Sequence, residues 1–359
     1  MADQDRIPVT ILTGFLGAGK TTLLNQLVRR PELASAAVLI NEFGAISLDH
    51  ELVEKTVDEN IVEVKGGCLC CTVRGDIPRA LQDLLTRSET GQISRFDRIV
   101  IETTGLADPT PILHIFMTDR LLKHRFRLDG LVTMVDAVNG LDSIDRHVEA
   151  LKQAAVADRL LISKTDLADP APLLARLAGV NPGAPVITVE QGRLDPAEIL
   201  NLGAFDPAAK GADVEAWLRA EAHADEHAHG HHHHSHDHDV NRHDDDIRAF
   251  TYVRDEPVKL DRLEYLLHLT AKMRGHDLLR VKAIVNVEGR DTPAVIHGVQ
   301  KVFHPVAWLD RWPSDDRRTR IVFIVQDITK DQIDELFESL DDEAVSEAAR
   351  KNPAFRATI

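Results

Sequence analysis

Cysteine is scarce in this chain: 359 residues hold only three, at positions 68, 70 and 71. An odd, tightly clustered set cannot be a disulfide framework, and reduced thiols in the cytoplasm are the expectation. Long apolar runs are missing as well. Nothing approaches the roughly 18 uninterrupted apolar residues of a membrane-spanning helix, so no membrane partner is expected. The opening Met-Ala-Asp-Gln-Asp-Arg lacks the basic and then apolar segments of a secretory signal. Positive charge is in deficit: 42 Lys and Arg face 58 Asp and Glu, a formal net charge of −16. Phosphate backbones are bound through Lys and Arg, so a chain this acidic is not expected to bind nucleic acid non-specifically.

What is present is ordinary for a globular protein, with 43% hydrophobic and 28% charged residues, in a chain long enough for two domains with separate cores. One motif dominates. Residues 14 to 21 read Gly-Phe-Leu-Gly-Ala-Gly-Lys-Thr, a complete phosphate-binding loop of the form GxxxxGK(S/T). The run before it, Ile7 to Thr13, is apolar and β-branched. The run after it, Thr22 to Arg30, has helical composition, with Leu23, Leu24, Leu27 and Val28 on one side. That strand–loop–helix context gives the motif its mechanism. Gly14, Gly17 and Gly19 let the backbone turn so that its N–H groups, through Ala18 to Thr22, point at phosphate oxygens, and the helix adds its positive end. Lys20 is placed to reach the β- and γ-phosphates, and the Thr21 hydroxyl to hold Mg²⁺.

Strand-like and helix-like stretches alternate from Arg6 to about Glu190. Strands are expected at Ala36–Ile40, Ile61–Val64, Arg98–Ile101, Gly130–Val135, Arg159–Ile162 and Pro185–Val189, with a helix at Asp76–Arg87. Alternation of this kind predicts an α/β fold: a mostly parallel sheet covered by helices on both faces, with ligands at the carboxyl ends of the strands. The segment from His223 to Asp246 has ten of the chain's 18 histidines, many Asp and almost no apolar residues. It buries too little to offset its ordering entropy and is expected to be a linker. Beyond it, strands are predicted at Arg248–Arg254, Leu278–Val287, Ala294–Val299 and Arg320–Gln326, with helices at Leu260–Lys272 and Lys330–Leu340. The expected organisation is a nucleotide-binding domain over 1–205, a His/Asp-rich linker over 206–246 and a smaller α+β domain over 247–359.

Ser163-Lys164-Thr165-Asp166 follows the apolar strand Arg159–Ile162 and matches the guanine-reading pattern (N/S)KxD. A carboxylate at Asp166 can accept two hydrogen bonds, from guanine N1–H and the exocyclic amino group. Adenine offers no such donor pair, and would leave the carboxylate unpaired. Glu102-Thr103-Thr104-Gly105 closes the strand before it, where many GTPases carry Asp-x-x-Gly. Glu102 would face Mg²⁺, and the Gly105 N–H could sense the γ-phosphate. No side chain stands out as a base for the attacking water, so slow intrinsic hydrolysis is expected.

Gly66-Gly67-Cys68-Leu69-Cys70-Cys71 is the second chemical feature. Three thiols within four residues can converge, once deprotonated, on one soft or borderline metal. Cys68 and Cys70 share a side if the loop is extended, and Cys71 then needs a turn. The fourth ligand is left open between Glu42, a histidine and water. An unsaturated site suits delivery, because four thiolates would hold the metal too tightly to release. His227, His229, His231, His232, His233, His234, His236 and His238 offer overlapping imidazole sets for Zn²⁺, Ni²⁺, Co²⁺ or Cu²⁺. His114, His147 and His268 belong to no motif and are expected to pack or to face solvent.

Taken together, the phosphate loop, Asn41-Glu42-Phe43-Gly44, the Gly-Gly-Cys-Leu-Cys-Cys run, Glu102–Gly105 and Ser163–Asp166 resemble the CobW-like P-loop GTPases, a family of metal chaperones and metallocentre-assembly factors. The resemblance extends over nearly the whole chain, including the C-terminal segment from Ile247. It implies a metal site formed by Cys68, Cys70 and Cys71 with Glu42 nearby, and a weak, metal-stimulated hydrolysis of GTP to GDP in which Lys20, Thr21 and Glu102 take part. It also implies Zn²⁺ (or Co²⁺ or Ni²⁺) as cargo and a client metalloprotein as partner, the chain itself being a monomer or a dimer. The zinc-handling branch is the nearest likeness. Branches serving cobalt insertion in cobalamin synthesis or nitrile hydratase activation, and a passive metal store, are the alternatives. An ATP-dependent small-molecule kinase would share Lys20 and Thr21 but has no use for Asp166 or the thiols.

Overall fold

A computed structural model describes residues 6–40, 61–63, 69–203 and 247–351; for 61–63 and 69–76 it describes the backbone alone. The chain divides into two compact units, Met1–Arg176 with Ala184–Asp213, and Leu177–Gly183 with Val214–Ile359.

The first unit is built on a seven-stranded sheet in the order β3-β2-β4-β1-β5-β6-β7. Its strands are β1 (Ile7–Gly14), β2 (Ala36–Ile40), β3 (Ile61–Glu63), β4 (Arg98–Glu102), β5 (Phe126–Asp136), β6 (Arg159–Ser163) and β7 (Val186–Val189). Every pairing is parallel. Parallel strands joined by helices lie buried on both faces and so read as continuous apolar runs. Val9 and Ile11 on β1, Ile99 and Ile101 on β4, and Leu131 and Val132 on β5 are accordingly all buried. After β1 the chain moves to one side of the sheet, for β2, β3 and β4, and then to the other, for β5 to β7. Order reverses around β1, and the crevice at its carboxyl end is where an open α/β sheet binds ligand. Helix α1 (Lys20–Leu27) packs Leu23, Leu24 and Leu27 onto Leu12, Val38, Val100, Val132 and Met134.

One sequence expectation is corrected here. Helix α2 runs over Leu69–Glu89, seven residues longer at its start than the predicted Asp76. Gly75 and Pro78 look like helix punctuation, yet the helix passes through both, with Pro78 inside it. Leu69 to Arg74 contain no breaker, and the apolar face that follows, with Ile77, Leu81 and Leu84 buried, anchors the element more strongly than two local propensities oppose it. The remaining helices of this unit are α3 (Thr110–Thr118), α4 (Arg120–Arg125), α5 (Gly140–Arg146), α6 (Val148–Ala155) and α7 (Ala171–Val180), the last straddling the division between the units.

The second unit carries an antiparallel sheet in the order β11-β10-β9-β13-β8, with β12 paired to β10. Its strands are β8 (Ile247–Arg254), β9 (Leu278–Val285), β10 (Ala294–Val299), β11 (Val302–Phe303), β12 (Ala307–Trp308) and β13 (Thr319–Gln326). Helices α8 (Leu260–Arg274), α9 (Lys330–Glu338) and α10 (Glu343–Lys351) belong to the same unit. Its core joins Leu263, Leu266 and Leu267 of α8 to Val281 and Ala283 of β9, and Phe323 of β13 to Phe337 of α9. The last pair meets edge to face at 5.6 Å, a geometry favoured by ring quadrupoles. Helix α9 starts in a complete capping box: the Gln332 N–H donates to Thr329 Oγ1, and the Thr329 N–H donates to Gln332 Oε1.

Candidate functional site

The loop between β1 and α1 has the backbone its glycines allow. Gly14, Gly17 and Gly19 have φ of 142°, 75° and 98°, values that L side chains rarely adopt. Gly14 is also fixed by space: a Cβ there would lie 2.2 Å from the Met134 carbonyl oxygen of β5. Ala18 is buried beneath the loop, and its carbonyl accepts from the Ser163 hydroxyl at 2.8 Å. The end of β6 is thereby tied to the phosphate loop.

Lys20 is 8% exposed. Its ammonium donates to the Gly14 carbonyl at 2.7 Å and the Phe15 carbonyl at 3.2 Å. Burial lowers its pKa below the ordinary lysine value, and the Glu102 carboxylate opposes that shift. A buried ammonium held by neutral carbonyls, with one carboxylate near, is electrostatically unfinished. It is matched by an anion entering from the open side of the loop.

Glu102 ends β4 and is buried, at 5% exposed. Its Oε1 accepts from the Thr21 hydroxyl at 2.7 Å. A hydroxyl and a carboxylate side by side are oxygen donors of the hard kind that Mg²⁺ takes alongside phosphates and water, so these residues fit that ion. Thr103 and Thr13 lie in the layer beneath, both buried, with the Thr103 hydroxyl donating to Thr13 Oγ1 at 2.7 Å. Gly105 abuts the phosphate loop: a Cβ on it would stand 2.7 Å from the Leu16 nitrogen and 2.8 Å from Leu16 Cα. The loop after β4 thus passes against the phosphate loop with room for hydrogen alone.

At the end of β6, Lys164 adopts φ of 59°, a left-handed conformation that costs a non-glycine residue on the order of 1 kcal/mol and clusters at functional sites. Its ammonium sits 3.4 Å from Asp136 Oδ2. Asp166 is exposed, as is Leu167 beside it, so the carboxylate is open to a ligand edge. Thr22 is exposed on the first turn of α1.

Sequence reasoning overlooked Asp136, Gln191, Gly192 and Gln153. Asp136, at the end of β5, is buried and accepts from the Asn139 N–H at 2.6 Å, orienting it toward Lys164. Gln191 and Gly192, after β7, both have positive φ, and the Gln26 side chain of α1 donates to the Gln191 carbonyl at 2.9 Å. A turn signal at the end of a parallel strand was the available clue. His147 packs as expected, its ring stacked on Phe15 of the phosphate loop with centroids 4.7 Å apart and planes 23° apart. Gln153 touches the loop after β4.

The metal expectations fare differently. Cys70 and Cys71 lie in the first turn of α2, and the expected pairing of Cys68 with Cys70 involves a residue outside the described ones. Glu42, Cys68 and the histidines 227, 229, 231–234, 236 and 238 lie outside the described residues. Among the described residues, no group of three or more His, Cys, Asp or Glu side chains could hold a metal ion, and no helix is long and apolar enough to cross a membrane.

Comparison with known proteins gives this geometry its relatives. The chain is 33% identical over 335 residues to the zinc chaperone YjiA of Escherichia coli K12, covering 93% of this chain and 98% of that one. It is 40% identical over 212 residues to the zinc-regulated GTPase metalloprotein activator 1 of Schizosaccharomyces pombe, covering 56% of this chain and 50% of the relative. The crystal structure of Zn(II)-bound YjiA GTPase from E. coli superposes with a TM-score of 0.67 at 27% identity, covering 93% of this chain and 99% of that structure. Residues 8–188 match the family described as CobW/HypB/UreG, nucleotide-binding domain, and residues 247–341 match the cobalamin synthesis protein CobW C-terminal domain. With its phosphate loop, its Thr21–Glu102 pair and both segments matched in order, the chain belongs to the CobW/HypB/UreG family, in the form that carries the CobW C-terminal domain.

Proposed function

We propose that this protein is a GTP-dependent zinc chaperone, which hydrolyses GTP to GDP and phosphate and couples that cycle to the delivery of zinc to a client metalloprotein. The observation that carries the coupling is a matter of register. Ile40 at the end of β2 pairs with Glu63 of β3 on one side and with Glu102 of β4 on the other. Three strands therefore end level. At about 4.8 Å per strand, the backbone leaving Glu63 toward Cys68 starts about 10 Å from Glu102, and the segment with Glu42 leaves from between them. The chain leaves for Glu42 and for the thiols from the same end of the sheet that carries Glu102.

Within the site, Gly14 to Thr21 hold the phosphates, and Lys20 exchanges its two loop carbonyls for phosphate oxygens. Thr21 and Glu102 would hold Mg²⁺, which would neutralise charge developing on the phosphate. Asp166, backed by the Lys164 stem, reads the guanine edge. Gly105, confined against Leu16, carries the N–H that responds to the γ-phosphate. A ligand shifts an equilibrium only by its differential affinity for the two states. Zinc held by Cys68, Cys70, Cys71 and Glu42 must therefore bind the GTP state and the GDP state unequally if hydrolysis is to release it. YjiA is described as zinc-bound and as a zinc chaperone, which supports zinc as the cargo. We assign residues 206–246 to a linker whose histidines capture metal at modest affinity.

The test is zinc affinity measured with GDP and with a non-hydrolysable GTP analogue on the same preparation. Tighter binding in the analogue state, by about tenfold or more (about 1.4 kcal/mol), is expected. Equal affinities would remove the coupling and leave a GTPase that happens to bind metal.

A further inference from the structure

Helix α6 touches two parts of the site at once. At its start, the His147 ring lies on Phe15 of the phosphate loop. Near its end, Gln153 is 1% exposed, and its Nε2 donates to two carbonyls of the loop after β4, Gly105 at 3.1 Å and Ala107 at 2.8 Å. Both partners are acceptors, so the amide orientation is fixed by chemistry: only the nitrogen can face them. Its own backbone carbonyl accepts from the buried Thr133 hydroxyl of β5 at 2.7 Å, which pins the helix to the sheet. The two contacts are six residues apart, about 9 Å along a helix.

A packing role alone does not explain this residue. An amide in the interior costs free energy unless its hydrogen bonds are made. Gln153 spends both donors on one short loop, and its Oε1 has no hydrogen-bond partner among the described residues. Leu or Met would fill the same volume at lower cost. What the amide adds is a grip on a backbone segment, and that segment contains Gly105, which is in van der Waals contact with Leu16.

We propose that Gln153 is a positioning residue that sets how strongly the Gly105–Ala107 segment responds to the γ-phosphate, with α6 as the rigid bar linking that segment to the phosphate loop through His147 and Phe15. The inference rests on the reading of Gly105 as the γ-phosphate sensor. Two carbonyls held on one amide fix the segment's height over the sheet, so that the Gly105 N–H is presented to GTP and has no partner in GDP. Releasing the grip leaves phosphate-loop binding intact, because Gln153 is outside it, and blunts discrimination between the two nucleotides.

The experiment compares the wild type with Gln153→Met, which keeps length and removes both donors, and Gln153→Glu, which keeps shape and places an acceptor against two acceptors. Affinity for GDP and for a non-hydrolysable GTP analogue is measured, together with hydrogen exchange of the 103–107 segment in each state. For both variants the expected result is GDP affinity within about twofold of wild type and a fall of about tenfold or more in analogue affinity. Analogue-dependent protection of 103–107 should be lost as well. Equal loss for both nucleotides, or no loss for either, overturns the role. If the wild-type segment itself shows no difference between GDP and the analogue, the sensor reading fails and takes the proposal with it. If the wild type responds and Gln153→Met responds equally, the sensor reading stands and the assignment to Gln153 alone is refuted. Should Gln153→Glu fail to fold, Gln153→Met decides the matter.

Discussion

The Thr21 hydroxyl donates to Glu102 Oε1 at 2.7 Å, joining the end of the phosphate loop to the end of β4. The bond holds the two oxygen donors of the proposed Mg²⁺ site in place before any nucleotide arrives, so little side-chain ordering remains to be done on binding. Glu102→Gln keeps the length and can still accept from Thr21, but removes the charge that a divalent cation requires. GTP turnover at saturating Mg²⁺ should fall by about 10- to 100-fold, whereas GDP affinity measured without Mg²⁺ should barely change. Unchanged turnover would remove Glu102 from the site.

Lys20 makes an opposite demand on stability. The folded state lowers its pKa from the ordinary 10.5, so between the lowered value and 10.5 the unfolded chain binds more protons than the folded one. Stability therefore rises with pH across that window. Below it the cost of burying the ammonium is present in full. Lys20→Met removes the charge and retains the stem. In the absence of nucleotide the variant should be more stable than wild type near neutral pH, by roughly 1 kcal/mol or about 2–4 °C in midpoint. The gap should close as pH rises toward 10.5, while nucleotide binding is lost at every pH. Thermal melts across that pH range, with the difference between the two proteins as the readout, check the sign.

Gly105 allows a steric test. A methyl group at this position would lie 2.7 Å from the Leu16 nitrogen and 2.7 Å from Leu16 Cδ2. The side chain could move; the backbone cannot without displacing one loop from the other. Overpacking of this kind costs about 1–3 kcal/mol. Gly105→Ala should weaken a GTP analogue more than GDP, because in the proposed cycle only the former engages the Gly105 N–H. Isothermal titration with both nucleotides checks the ratio.

What could be read from the chain and what could not follow one rule. The phosphate loop was legible because its chemistry is local: eight consecutive residues supply the glycines, the cation and the hydroxyl. Strand β10 occupies Ala294–Val299 as the β-branched pattern required. The start of α2 at Leu69 was not legible, because Gly75 and Pro78 are local signals and the packing that overrides them, through Leu81 and Leu84, is not. The partner of His147 and the placement of Gln153 were invisible for the same reason. Phe15 and Gly105 are brought to these two residues only by the crossover from β1 through β4 to β5. Residues that furnish chemistry announce themselves in a motif. Residues that position it do so only after folding.

The histidine run is separable from the nucleotide chemistry on chemical grounds. Its eight imidazoles between 227 and 238 offer neutral nitrogen ligands to a borderline ion, whereas the phosphate site is built of backbone N–H groups, an ammonium, a hydroxyl and a carboxylate. Deleting 227–238 should lower the zinc bound per chain and leave unstimulated GTP turnover within about twofold. Turnover collapsing with the deletion would show that this stretch belongs to the catalytic unit.

In the proposed reading guanine selection rests on Asp166, which is exposed after the end of β6 beside the left-handed Lys164. Ser163, one residue before it, is fastened to Ala18 under the phosphate loop at 2.8 Å, so the base-reading turn and the phosphate cradle are held in register by a single hydroxyl. A carboxylate accepts both the N1–H and the exocyclic N–H of guanine. An asparagine amide at the same place accepts one and opposes the other with its own donor. Asp166→Asn should therefore weaken GTP by about 1–3 kcal/mol, the worth of a bidentate base contact, or roughly 5- to 150-fold. The same amide complements xanthine, which replaces the exocyclic amino group with a carbonyl, so xanthosine triphosphate should bind the variant better than the wild type. The crossing of the two preferences, measured by competition in one titration, is the decisive readout. A variant that loses both nucleotides alike would mean that Asp166 supports the turn and leaves the base unread.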